Sequence, residues 1–97
     1  MEKIINLVIK TVQELGNDQD NQALINANKD TLLFGSNLDS MGIVFLVADL
    51  ESKISEELNI DITLADERAM SQKTSPFKSV KTLSEYSKIL ITEYQAQ

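Results

Sequence analysis

Apolar residues recur along this chain at helical rather than strand spacing. Ile5, Val8, Ile9, Val12 and Leu15 lie on one stripe of an amphipathic helix over residues 2–15, and Gly16-Asn17 is expected to stop it. Residues 18–30 are rich in Asn, Asp and Gln and read as a long connection, with a brief turn around Ala23-Leu24-Ile25. Thr31-Leu32-Leu33-Phe34-Gly35 is expected to fold its apolar side chains back onto the core. Ile43, Leu46, Val47, Leu50, Ile54 and Leu58 then repeat at i, i+3, i+4 and i+7, which makes them the buried face of a second long helix. Residues 61–72 read as an acidic link into a short third helix, with Thr63-x-x-Asp66 a weak capping box. A polar turn holding the one proline, Pro76, precedes a last helix for which Thr82-x-x-Glu85 is the expected capping box. Leu83, Tyr86, Leu90 and Tyr94 share one face of that helix, both tyrosines being expected at core edges with wet hydroxyls. No strand alternation or internal repeat interrupts the pattern. The expected fold is all-α: a small four-helix bundle of three longer helices and a short third one, in a single domain over residues 1–97.

Projected at the 3.6-residue period, Phe45 falls opposite the buried stripe of the second helix, with Met41, Asp49, Ser52 and Glu56 around it. A single exposed aromatic is ordinary. One that lies a turn beyond the start of a helix, among acids, suits a partner contact, because aromatics are enriched at interface cores.

Charge narrows the choice of partner. Fifteen acids against nine bases give a net charge of -6, which argues against nucleic acid, since phosphate backbones need clustered Lys and Arg. The acids are unevenly placed: residues 39–67 hold eight acids and only Lys53, whereas residues 68–88 hold five bases and only Glu85. Such a distribution suits basic protein partners. No stretch is long and apolar enough to span a membrane, and the N-terminus lacks the apolar core and cleavage site of a secretory signal. The absence of cysteine rules out disulfides and thiolate metal sites and fits a cytoplasmic location. The absence of histidine removes the usual general base, and with it a Ser-His-Asp or Cys-His nucleophile. A calcium loop beginning at Asp18-x-Asp20-x-Gln22 fails, because Ala23 stands where glycine is needed and Lys29 where the bidentate glutamate is needed. No metal site is therefore expected, and no enzyme.

One tetrapeptide changes the picture. Leu38-Asp39-Ser40-Met41 follows the polar connection and opens the second helix, placing Ser40 at the helix mouth, where first-turn amides and the helix dipole favour a phosphate. Asp and Ser are common at helix starts for capping reasons alone, so the pair carries little by itself. The pattern extends, however, through Met41-Gly42-Ile43-Val44, Leu46-Val47-Ala48-Asp49-Leu50-Glu51 and Ile60-Asp61-Ile62, and resumes at Ser79-Val80-Lys81-Thr82-Leu83 with Tyr86. Over about two thirds of its length the chain resembles the acyl and peptidyl carrier protein family, whose signature is Asp-Ser followed by Leu, Met or Ile. The family usually has glycine three residues before the serine. Here that position is Asn37, the residue best able to replace glycine in a left-handed turn.

The resemblance implies a free-standing monomeric carrier on which Ser40 bears a 4'-phosphopantetheine arm, placed there from coenzyme A by a phosphopantetheinyl transferase. It implies an acyl-loading ligase and acyl-transferring enzymes as further partners, a thioester-bound cargo, and a role for Asp39 in orienting the serine or binding the transferase. Gly42 would leave room beside the arm. Fatty-acid-synthesis carriers show a denser acidic face than Gly42, Phe45 and Ser52 provide, which points to a dedicated lipid or secondary-product pathway. A peptidyl, aminoacyl or D-alanyl carrier is the alternative within the family. Outside it stand an unmodified helical adaptor, in which Ser40 is only part of a cap, and more remotely a hydrolase.

Overall fold

A computed structural model describes residues 2–64 and 76–95. Among these the protein is all-α, a small bundle of three long helices and one short one: α1 (Glu2–Gln19), α2 (Gln22–Ile25), α3 (Ser40–Leu58) and α4 (Val80–Gln95). The short helix comes second in order. The short helix expected within residues 61–72, with its Thr63-x-x-Asp66 box, falls mostly on residues 65–75 and lies outside the described residues.

α1 does not stop at Gly16-Asn17 as expected but runs to Gln19. Gly16 is a contact rather than a terminator: a Cβ there would come within 2.7 Å of the Ile25 backbone nitrogen and of Leu24 Cβ, so its lack of a side chain lets α2 pack tightly on α1. The helix ends instead at Asp20, which takes a left-handed conformation (φ 54°). Asn21 N–H donates to Gly16 O (2.8 Å) and Asp20 N–H to Asn17 O (3.3 Å), the two bonds of a Schellman motif. Asn21 then caps α2 by accepting from the Ala23 and Leu24 amides, and Leu24 is fully buried beneath it.

The buried stripe of α3 is the expected one. Ile43, Leu46, Val47, Leu50 and Ile54 are buried and Leu58 is partly so, each fully buried Leu or Ile stabilising by about 1.5–3 kcal/mol. α3 closes at Asn59, left-handed (φ 55°), whose N–H donates to Ser55 O. α4 begins earlier than Thr82-x-x-Glu85 implied. Ser79 is the capping residue, its Oγ accepting from Thr82 N–H (3.2 Å) while Thr82 Oγ1 accepts from Ser79 N–H (3.0 Å), so Thr82 fills the reciprocal place intended for a glutamate. Leu83, Tyr86 and Leu90 are buried on α4, and Tyr94, near its end, is 44% accessible. The buried hydroxyls of Thr11, Ser84 and Ser87 each donate to the carbonyl four residues earlier, at 2.7–2.8 Å, so no burial cost is left unmet.

α1 is the helix against which α2, α3 and α4 all pack. Lys53 ties α3 to α1 through Glu14 (2.7 Å), and after Asn59 the chain turns back along α3, with Ile60 and Leu64 buried and Leu64 N–H donating to Glu51 Oε2 (2.6 Å). The connection to α3 is laced to the start of α4 by four backbone bonds: Leu33 N–H to Lys78 O, Phe34 N–H to Phe77 O, Val80 N–H to Thr31 O and Lys81 N–H to Lys29 O, at 2.7–3.0 Å. That extended lacing imposes alternation on residues 32–34. Leu33 is buried, but Leu32 and Phe34 point to solvent rather than onto the core as expected. Among the described residues no helix is long and apolar enough to cross a membrane.

Candidate functional site

The mouth of α3 is built from two local devices. Asp39 is extended (φ -90°, ψ -174°) and its Oδ1 accepts from Gly42 N–H at 2.8 Å, while its carbonyl accepts the first intrahelical bond from Ile43 N–H at 3.0 Å. This is a complete N-cap, and it makes Ser40 the first residue of the helix. Upstream, the carbonyl of Leu33 accepts from three successive amides, Ser36, Asn37 and Leu38, at 3.0–3.2 Å, and Gly35 N–H donates to Leu38 O at 3.0 Å. The left-handed residue of this turn is Gly35 (φ 84°), not Asn37. The substitution expected to let Asn37 mimic a glycine therefore works differently: Asn37 Nδ2 donates to Leu32 O at 2.7 Å and Asn37 O accepts from Asn21 Nδ2 at 3.4 Å, so the side chain clasps the turn and its backbone ties it to the α2 cap.

Gly42 has a packing reason of its own. A Cβ there would lie 2.8 Å from Leu38 Cδ2 and 3.3 Å from Leu38 Cβ, and Leu38 is buried. The missing side chain lets the loop leucine seat against the first turn of α3, which fixes the angle at which the chain enters the helix.

Every residue of the expected partner face is exposed: Met41, Phe45, Asp49, Ser52 and Glu56. Met41 is 63% and Phe45 56% accessible, large values for apolar side chains beside one another on a helix. The structure adds two residues that the sequence reading missed, Val44 (60%) and Phe34 (44%). Val44 is three residues from Met41 and on the same side of the helical projection, a signal available from spacing alone. Phe34 could have been found only by reading residues 32–34 as extended chain, where neighbours face opposite ways.

Between the loop and the helix lies an open cleft of about 680 Å³, lined by Phe34, Gly35, Ser36, Asn37, Leu38, Asp39, Met41, Gly42 and Phe45, with Gln19 from the end of α1. It flanks Ser40 through both of its neighbours. Farther along α3 the charge is moderated at one point: Lys53 Nζ sits 2.7 Å from Glu14 and 3.6 Å from Asp49, and the hydrogen bond to Glu14, ahead of all opposing effects, raises the lysine above its ordinary pKa.

The chain has no His or Cys, and among the described residues no cluster of acids could hold a metal ion. What the mouth does offer is a helix N-terminus with its serine first, a capping acid, a glycine-relieved turn and an apolar rim. Compared with protein-family models, with curated proteins and with solved structures, the chain matches none.

Proposed function

We propose that this chain is a free-standing carrier protein, which bears acyl intermediates as thioesters on a 4'-phosphopantetheine arm attached to Ser40 and presents them to partner enzymes in a dedicated lipid or secondary-product pathway of the cytoplasm. The observation that carries the reading is the position of Ser40 as first residue of the 19-residue helix α3, capped by Asp39 and next to an open cleft lined by exposed Phe34, Met41 and Phe45. The residues suit the group. First-turn amides favour a phosphodiester, and the neighbouring residues Asp39 and Met41 are both exposed. When bound, the arm supplies a terminal thiol, a function the chain itself lacks.

The chain's own residues do the rest. Asp39 holds the helix start, Leu38 and Gly42 set the angle of entry, and Met41, Phe45, Asp49, Ser52 and Glu56 form the surface every partner reaches when it works at an arm rooted on Ser40. Its apolar centre anchors and its acids steer. The partners of this reading are a phosphopantetheinyl transferase, an acyl-loading ligase and acyl-transferring enzymes. A peptidyl, aminoacyl or D-alanyl load uses the same serine and is the alternative.

The test is incubation with coenzyme A, magnesium and a broad-specificity transferase, read by intact mass. The expected result is a gain of one phosphopantetheine, abolished in Ser40→Ala. An unmodified helical adaptor gains nothing, and a modified Ser40→Ala protein removes the assignment.

A further inference from the structure

The cleft at the mouth of α3, about 680 Å³, is lined by both the helix and the loop before it. One wall is the α3 face with Met41 and Phe45, the other is the loop with Phe34, Gly35, Ser36 and Asn37. We propose that this cleft is the resting berth of the arm itself: in the absence of a partner, the arm on Ser40 lies between Phe34 and Phe45 on the surface of the protein, not among its helices. The inference rests on the carrier reading and assigns to it the place where the arm waits.

Three observations support it. The first is the root: Asp39 and Met41, the residues next to Ser40 in the chain, and Gly42 all line the cleft, so the cleft begins within one residue of the attachment point. A tether of that kind raises the local concentration to about the millimolar range, so contacts with a dissociation constant below about a millimolar hold most of the population. The second is chemistry. The arm alternates a branched dimethyl unit with two amides, and the cleft offers exposed aromatic and thioether surface interleaved with the polar backbone and side chains of Ser36 and Asn37. Its volume, about 680 Å³, lies in the range of small-molecule sites, roughly 300–1,000 Å³. The third is the state of the interior. Val8, Val12, Leu24, Leu33, Leu46, Leu50, Ile54 and Leu83 are all fully excluded from solvent, so admission between the helices means disrupting close packing, whereas the cleft is already open. Phe34 follows as a residue for the arm rather than for the core, which accounts for a large aromatic held outward by the lacing of its own backbone to Phe77.

The experiment compares amide chemical shifts of the ¹⁵N-labelled protein before and after modification, with complete loading verified by mass. The expected result is that Gly35, Ser36, Asn37 and Phe45 shift along with the residues next to Ser40. In loaded Phe34→Ala, the loop shifts should disappear while those next to Ser40 remain; loaded Phe45→Ala provides the same comparison from the opposite wall. Shifts confined to residues 39–43 would mean a freely swinging arm and overturn the proposal. Shifts concentrated on Leu46, Leu50, Ile54 and Leu83 would put the arm among the helices and overturn it equally. Absence of any mass gain is a different failure, that of the carrier reading, and takes the berth with it.

Discussion

Asp39→Ala tests whether the helix mouth is held as described. The substitution removes the acceptor of the 2.8 Å bond from Gly42 N–H, a loss of about 1 kcal/mol for a helix cap. It also removes a negative charge from the positive end of α3; at an exposed site this adds the lower part of the helix-dipole range, about 0.3–0.5 kcal/mol. The sum, about 1.4 kcal/mol, corresponds to a fall in Tm of roughly 6–11 °C for a domain of this size. Asp39→Asn keeps an acceptor oxygen and gives up only the charge, so it should lie within about 0.5 kcal/mol of the parent protein. Thermal unfolding followed by far-UV circular dichroism measures both. Initial rates of phosphopantetheine transfer to Ser40 in the same variants then separate two jobs. If Asp39 acts by capping, Asn restores the rate together with the stability. If Asn is stable yet modified as slowly as Ala, the carboxylate contacts the transferase directly. Equal stability loss in Asp39→Asn and Asp39→Ala, or none in either, would refute the argument that the cap organises the site.

Phe45→Ala exchanges a ring that is more than half in water, so it should cost no more than about 1 kcal/mol while slowing acyl transfer by the native partners; a domain that unfolds, or partner rates all unchanged, would remove Phe45 from the docking surface. The Lys53–Glu14 pair raises the lysine's folded-state pKa above its ordinary 10.5, so its contribution is complete below that pH and is lost as pH climbs through the raised value. Because both partners are partly exposed, the contribution is below about 1 kcal/mol, and the stability gap between the parent protein and Lys53→Met, measured by urea denaturation, should be flat near neutrality and narrow above pH 10.5. A gap that widens there would contradict the pairing.

Long-period features of the bundle were legible in the sequence, and short-range boundaries were not. The α3 stripe from Ile43 to Leu58 and the outward Phe45 followed from the 3.6-residue period, because burial on one side is a property of the whole helix. Gly16 misled because a glycine's meaning depends on what approaches it, and Leu24 and Ile25 lie across a connection that spacing cannot fold. The start of α4 was missed because Ser79 and Thr82 both qualify as caps, and the choice falls to the backbone lacing with residues 29–34. For the site, the place of Asp39 and Ser40 at a helix mouth was readable from composition and order. The second wall at Phe34 depends on bonds to residues distant in sequence, whereas the clasp made by Asn37 and the left-handed Gly35 belong to a tight local turn that no hydrophobic period marks.

The lacing between residues 29–34 and 77–81 also has a consequence for biosynthesis. Its two segments are far apart along the chain, so residues 29–34, which set the outer wall of the mouth, have no fixed place until the start of α4 exists to receive them. A nascent chain emerging from the ribosome can wind α1 and α3 early, since both are local, yet it presents a finished mouth only after Lys81 has been added. A partner that reads the shape of that mouth can therefore do so only on chains in which Lys81 has already emerged.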